Sequence, residues 1–344
     1  MNKKTVLRIP SYMENFRCIA DKCSDNCCIG WEIDIDETTA AYYKNVDGKF
    51  GEKLRRCISW EEECSSFILD GERCPFLNKS NLCDIIINCG EEHLCGICAE
   101  HPRFYEWFDG IKEGGIGLCC EEAARVILSQ DTNFSFVEKE IPYEDCDIYE
   151  NDLFSLLIES RKKIIDIIQS SDLSLFEALG KIGNFCLALQ QNIDECDYRT
   201  PFTEKEFFPL IKKEVLFHTL FSLEEMDESR KPMLEMASLS PIDVDEKLFS
   251  MQDTEKYLRN IGVYFIWRYF LKAVFDYDVM GKFNLMLFSL TAIAYLFEYN
   301  RLINGQLTFE DCVEISKDYS KEVEYSQENV DGVSGYGAPA VVGA

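Results

Sequence analysis

The chain has 344 residues, of which 47% are hydrophobic and 13% aromatic, so it folds around one large or two modest cores and is not a disordered chain. Its formal charge of −27 disfavours nucleic acid, whose phosphates would be repelled over most of the surface, and suits a basic or lysine-bearing partner; taken alone, such acidity secures solubility. The first residues carry two lysines but no continuous apolar run, so no secretory signal is read there and the expected location is cytoplasmic.

Residues 1–130 form a cysteine-rich, loop-rich part. Within it, 31–36 alternates strictly, with Trp31, Ile33 and Ile35 on one face, and predicts a short half-buried strand. Residues 37–44 predict a short helix capped by Asp36. The stretches around 57–64 and 70–89 are irregular and are expected to have little core of their own, so that a metal would hold them. Residues 121–128 predict a further helix.

From about 148 the period becomes helical. Leu153, Leu157, Ile164 and Ile168 share one face of a helix near 151–169, and Leu175, Leu179, Ile182, Cys186 and Leu189 share a face of a second. Residues 225–250 are charged, hold Pro232 and Pro241, and read as a loop. Two strongly apolar helices follow near 254–276 and 282–300. The most apolar run, 283–297, is shorter than the ~20 residues of a membrane span and predicts a buried helix. Thr308 and Asp311 make a capping-box variant that opens a last helix ending near Ser326. The expected organisation is a metal-binding part over 1–130, an α-helical domain over 131–329 and a flexible tail over 330–344. The expected fold class is mainly α, with a short strand in the cysteine-rich part and a helical bundle after it.

The chemistry is expected at the thiols. Thirteen of the 17 cysteines lie in the first 120 residues. A reducing compartment disfavours disulfides, which leaves metal ligation. Cys18, Cys23, Cys27 and Cys28 spell C-x4-C-x3-C-C, a set of soft ligands that suits zinc or an iron–sulfur cluster. Adjacent Cys27 and Cys28 are expected to point apart, which favours a cluster or two centres over one tetrahedral ion. Cys74 and Cys83 follow, then Cys95-x2-Cys98, a spacing that lets two thiolates converge. Cys119-Cys120 precedes the helix predicted at 121–128, whose N-terminus stabilises a thiolate, so Cys120 is a ligand candidate. Cys146, Cys186, Cys196 and Cys312 read as small buried hydrophobes, and Cys57, Cys64 and Cys89 are undecided. His93 and His101 flank the 95–98 pair and read as polar neighbours; His218 reads as structural.

The string Pro10-Ser11-Tyr12, Phe16-Arg17-Cys18, Cys23, Cys27-Cys28-Ile29-Gly30-Trp31 resembles the flagellin lysine-N-methylase family. So do Cys74-Pro75-Phe76-Leu77, Leu82-Cys83, Cys98, Pro102-Arg103 and Leu118-Cys119-Cys120-Glu121-Glu122-Ala123-Ala124-Arg125. The N-terminal part is also similar to domains described as zinc- or iron-chelating. The resemblance runs to about Asn329, with its specific motifs before 130. It implies metal ligands at Cys18, Cys23, Cys27, Cys28, Cys74, Cys83, Cys98 and Cys120, and makes Cys57, Cys64, Cys89, Cys95 and Cys119 extras. Glu121 stands where the family is expected to have proline. The resemblance also implies a methyltransferase that uses S-adenosylmethionine and an iron–sulfur cluster of the 4Fe–4S type to methylate lysines of flagellin. The residues alone leave open a non-catalytic or redox metal-binding protein with a structural zinc or iron–sulfur site.

Methyl transfer needs a neutral lysine amine beside a sulfonium, and aromatic rings cradle such cations. Tyr12, Trp31, Tyr105 and Trp107 lie beside the motifs and are candidates for that role; Arg103 is a candidate partner for a cofactor carboxylate. Gly114-Gly115-Ile116-Gly117 lacks the strand-turn-helix setting of a nucleotide loop. No catalytic residue is assigned.

Overall fold

The computed structural model describes residues 4–30, 32–61, 64–108, 110–144, 151–198, 206–227 and 230–335. Contacts divide the chain into a cysteine unit, Arg17–Phe104 with Cys120–Glu122, and a bundle unit, Met1–Phe16 with Tyr105–Cys119 and Ala123–Ala344.

In the cysteine unit the alternation at 31–36 turns Ile33 and Ile35 inward and Glu32 and Asp34 outward; Trp31 lies outside the described residues. Only Asp34–Ile35 pairs as a strand, antiparallel to Ser65–Phe67, which pairs in turn with Ile58–Trp60. Asp36 then caps the helix Glu37–Asn45, accepting the Thr39 N–H at 2.9 Å. Its other carboxylate oxygen accepts the Gly96 N–H at 3.0 Å, which ties the 95–98 knuckle to this cap. A second helix, Gly48–Arg56, follows.

The stretches expected to be irregular and coreless are neither. They supply the strands Ile58–Trp60 and Ser65–Phe67, the helix Asp84–Cys89, and the core residues Phe67, Phe76 and Ile85, which pack with Ile33, Tyr43 and Leu54. Phe67 and Phe76 meet edge to face at 5.1 Å. Each such side chain contributes about 1.5–3 kcal/mol on full burial, so the unit has a core independent of any metal. Aromatic residues spaced far apart in sequence make this core, which is why periodicity did not reveal it.

The bundle unit opens with a sheet that the periodicities did not predict. Its strand order is Arg103–Phe108, Ile111–Ile116, Lys4–Pro10, Phe136–Pro142. Lys4–Pro10 runs parallel to Ile111–Ile116 and antiparallel to Phe136–Pro142. Glu113, on Ile111–Ile116, reaches the helix Asn151–Ile168 through Arg161; both side chains are 5% exposed.

The helices Asn151–Ile168 and Leu175–Asp194 form as predicted. So does the apolar pair, as Glu255–Tyr269 (continued by the turns Phe270–Lys272 and Ala273–Asp276) and Val279–Asn304. Val279–Asn304 packs against Leu175–Asp194, Glu255–Tyr269, Phe309–Glu324 and Gln327–Ser334. Those neighbours on all sides explain its apolar circumference. It is long and apolar enough to cross a membrane by length and composition, yet 89% of its most apolar stretch is buried inside the protein, as in a core helix. Gly262 allows one close approach: a Cβ there would meet Ile168 Cδ1 at 2.3 Å.

The segment read as a loop over 225–250 holds the helix Lys231–Ser238 and the turn Glu246–Phe249. Pro232 falls in the first turn of that helix, where its missing N–H has no partner to lose, so the proline that suggested a break starts the helix instead. Thr308 and Asp311 cap Phe309–Glu324 as read, with reciprocal bonds of 3.2 and 2.8 Å. Thr308→Ala is expected to cost about 1 kcal/mol, measurable as a lower urea midpoint at unchanged slope. One more helix, Gln327–Ser334, takes the first residues assigned to the tail; 336–344 lie outside the described residues.

Candidate metal centre

Cys18, Cys23, Cys27, Cys28, Cys74, Cys83, Cys98 and Cys120 all fall in the cysteine unit; Cys120 joins it from a distant part of the chain. Cys27 and Cys28 lie in a turn where the Asn26 side chain accepts the Cys28 N–H at 2.9 Å. The two thiols are near enough that Cys27 makes the Cys28 thiol harder to ionise. The Cys74 N–H donates to the Cys28 carbonyl at 2.9 Å and joins the two segments.

Six thiols are within electrostatic reach of one another. The Cys28 thiol is pushed up by its bond with Cys27, then by burial and by Cys27, Cys74 and Cys83. Cys98 is raised by its bond with Cys95, then by burial, with Cys95, Cys28 and Cys74 adding to it; the same bond holds Cys95 below its ordinary value. Burial pushes Cys74 up to about 11, with Cys83 and Cys95 adding to it. Burial also raises Cys83, which feels Cys27. These groups resist ionising together because each thiolate repels the next, and a bound cation or cluster removes that penalty. Among the described residues no three Cys, His, Asp or Glu side chains are set to hold one ion directly. The donor chemistry nevertheless fits a thiolate-held group: five of these soft sulfurs border one apolar core, and Cys27 adjoins it through Cys28.

Cys23 and Cys120 make a second, smaller neighbourhood. The Cys23 thiol lies 3.4 Å from Glu121 Oε2, which also accepts the Ser24 N–H and hydroxyl at 2.7 Å each. Burial pushes Cys23 up to about 12, with Glu121 and Cys120 adding to it. Glu121, the departure from the family pattern, thus braces the loop that carries Cys23. Cys120 directly precedes the helix Glu121–Leu128, as read. Cys18 is exposed, and its sulfur accepts the Ala20 N–H at 3.4 Å.

Cys95, counted as an extra by the resemblance, is the bonded partner of Cys98. Cys89 lies beside Tyr42 and Cys64 beside Asp34, while Cys57 packs on the core. Cys119 belongs to the bundle unit, apart from its neighbour Cys120. Cys186 and Cys312 are buried hydrophobes as expected, whereas Cys196 is exposed. It lies past the end of Leu175–Asp194 in a left-handed turn (φ 54°), which takes it off the apolar face. Cys146 lies outside the described residues. His93 stacks on Tyr42 at 4.0 Å, and His218 is exposed on Lys213–Ser222.

A recess of about 560 Å³ opens in the same unit, lined by Asp34, Asp36, Glu37, Glu61 and Cys64 and by Gly96 and Ile97 of the Cys95–Cys98 knuckle. Its carboxylates favour a cationic group over an anionic one.

The described aromatic and cofactor candidates are divided between the units. Tyr12 is buried in the bundle unit, while Arg103, the first residue of the strand Arg103–Phe108, counts with the cysteine unit. Tyr105 and Trp107 stand over the Lys112 ammonium at 4.8 and 4.6 Å, so their faces cradle a cation of this chain. Gly114 lies in the strand Ile111–Ile116 with Tyr105 packed on it, not in a phosphate loop.

Missed entirely was a buried polar network in the bundle. Glu324, 1% exposed, pairs with Arg268 at 2.9 Å and accepts the hydroxyls of Tyr264 and Tyr269 at 2.8 Å each. Tyr264 in turn accepts the Leu118 N–H at 3.2 Å. Arg268 within the apolar C-terminal half of Glu255–Tyr269 was the available signal.

One unit holds a cluster of thiols and the other a helical bundle with a buried polar network, and comparison with known proteins finds relatives. Residues 242–336 match the family model described as the FliB lysine N-methylase C-terminal domain. The matched region holds the apolar helices and Glu324, not the cysteines. The chain is 26% identical to the flagellar biosynthetic protein FliU of Salmonella muenchen over 146 residues, 40% of this chain and 85% of that protein. It is likewise 26% identical over 148 residues to the lysine-N-methylases of Salmonella choleraesuis and Salmonella typhimurium, covering 40% of this chain and 36% of theirs. No solved structure matches. Over these stretches the chain is similar, at low identity, to FliB-type lysine N-methylases.

Proposed function

We propose that the protein is an S-adenosylmethionine-dependent protein-lysine N-methyltransferase that acts on flagellin in the cytoplasm and carries a cysteine-held iron–sulfur cluster. The observation that carries this reading is the gathering of Cys28, Cys74, Cys83, Cys95 and Cys98 on one core, with Cys27 next to Cys28. It is supported by the names of the relatives, which are lysine-N-methylases and a flagellar biosynthetic protein.

These six thiols, with Cys23 and Cys120 as a second pair, would hold the cluster. When bound, the cluster supplies redox-active iron and additional folding energy. In the transfer itself the neutral lysine amine attacks the sulfonium methyl carbon, the C–S bond breaks to leave a thioether, and the amine then releases a proton. The protein's own task is to desolvate the ammonium so that it deprotonates and to hold it in line with the methyl group. The acidic recess beside the Cys95–Cys98 knuckle is suited to receiving a lysine-bearing segment, as is the net charge of −27.

Incubating the protein with S-adenosylmethionine and purified flagellin is expected to raise the flagellin mass in steps of one methyl group. An unchanged intact mass, with iron loading confirmed by visible absorption, rejects the proposal in favour of a non-catalytic metal-binding protein.

A further inference from the structure

A second cavity, wholly within the bundle unit, contains Tyr12. Its volume is about 200 Å³. That is below the roughly 300–1,000 Å³ of sites that enclose a whole drug-sized ligand, so it suits one end of a larger molecule.

No charged side chain lines this cavity. Instead, neutral amides stand with one end tied to the backbone. The Asn260 amide nitrogen donates to the carbonyls of Leu128 and Gln130 at 3.1 and 3.0 Å. Gln130 donates to the Val126 carbonyl at 2.7 Å, and Gln169 accepts the Phe134 N–H at 3.0 Å. Each amide is thereby fixed in orientation, and its other end stays available: two acceptor oxygens, on Asn260 and Gln130, and one donor, on Gln169.

Tyr12 adds a fourth group. Its ring is 8% exposed and meets Phe134 edge on at 6.5 Å. Its hydroxyl makes no hydrogen bond among the described residues and is not one of their buried unpartnered atoms, so it keeps access to water at the cavity it lines. A phenol hydroxyl that water alone satisfies can exchange that water for a ligand group at little cost.

We infer that this cavity binds the purine end of a nucleoside ligand, with Tyr12 as a hydrogen-bonding contact. Fixed neutral donors and acceptors beside an aromatic pair match the edge and face of a base, whereas a phosphate or a free cation would find no opposite charge. The inference rests on the proposed methyl transfer for its ligand, since S-adenosylmethionine presents an adenine.

Equilibrium dialysis with adenosine and with S-adenosylhomocysteine tests it on the full chain. Both ligands are expected to bind in competition. Tyr12→Phe keeps the ring and should weaken both by about three- to tenfold, the worth of one hydrogen bond, at unchanged melting temperature and iron content. Thr132→Trp, at an exposed position of the lining, should abolish binding by filling the entrance. Failure of both ligands to bind, or binding indifferent to both substitutions, overturns the inference. The two readings separate cleanly. Flagellin methylation with Tyr12-independent ligand binding rejects this site alone; Tyr12-dependent binding without methylation supports the site and rejects the methyltransferase.

Discussion

A Glu113→Gln protein is expected to lose about 3–5 kcal/mol of bundle-unit stability. Arg161 donates to both Glu113 oxygens, at 2.6 and 2.7 Å, and each side chain is only 5% exposed. The guanidinium also lies 4.3 Å above the Trp267 ring, whose N–H donates to the Gly114 carbonyl at 2.9 Å. Sheet and helices are therefore joined by a charge pair with little access to water, which Arg8 approaches at 3.9 Å from the sheet side. Glutamine keeps the shape but leaves the arginine charge buried without its counter-charge. By contrast the exposed pair Lys139–Glu14 at 3.2 Å should be worth under about 1 kcal/mol. Urea unfolding followed by tryptophan fluorescence measures both. A loss below about 1 kcal/mol for Glu113→Gln would mean that water or another group rescues Arg161. Replacing both members, Glu113→Leu with Arg161→Met, should recover most of the stability, because no charge is then left stranded.

Cys98→Ser tests the thiol cluster, and metal content is the decisive readout. Cys98 contacts Cys95 and feels Cys28 and Cys74, so it sits where the segments meet. Losing a ligand there is expected to lower bound iron severalfold and to bleach visible absorption, and the cysteine unit then loses the share of its stability that metal binding supplies. The unit should still fold, since Phe67, Phe76 and Ile33 bury a core without metal. Cys186→Ser is the control. That thiol is fully buried on Leu175–Asp194, and the change should cost roughly 1–3 kcal/mol with iron content untouched. Stability alone cannot separate the two variants, whereas iron per chain can. Wild-type iron in Cys98→Ser, or lost iron in Cys186→Ser, would refute the ligand assignment.

What was legible in the sequence is local. Asp36 and Thr308 cap helices through bonds spanning three residues, and the apolar stripes of 151–168 and 175–194 repeat at the helical period, so side-chain type and spacing suffice to read them. The clustering of cysteines, and with it the expectation of a thiolate-held metal, needed only composition and spacing. The strand Lys4–Pro10 was not legible because its neighbours lie more than a hundred residues away and its two faces are unevenly covered. The convergence of Cys95 and Cys98 was legible in their spacing, whereas the division of Cys119 from Cys120 between the two units was hidden because it depends on long-range packing.

The sequence by itself therefore determined which residues can bind metal, where the helices begin, and which family the chain resembles, because each depends on residue identity over a few positions. Only the tertiary structure decided which thiols are neighbours, that the cysteine unit has its own core, and that Tyr12 joins three backbone-tied amides around one cavity. Those outcomes depend on long-range pairing and burial, and no local pattern encodes how distant segments desolvate one another.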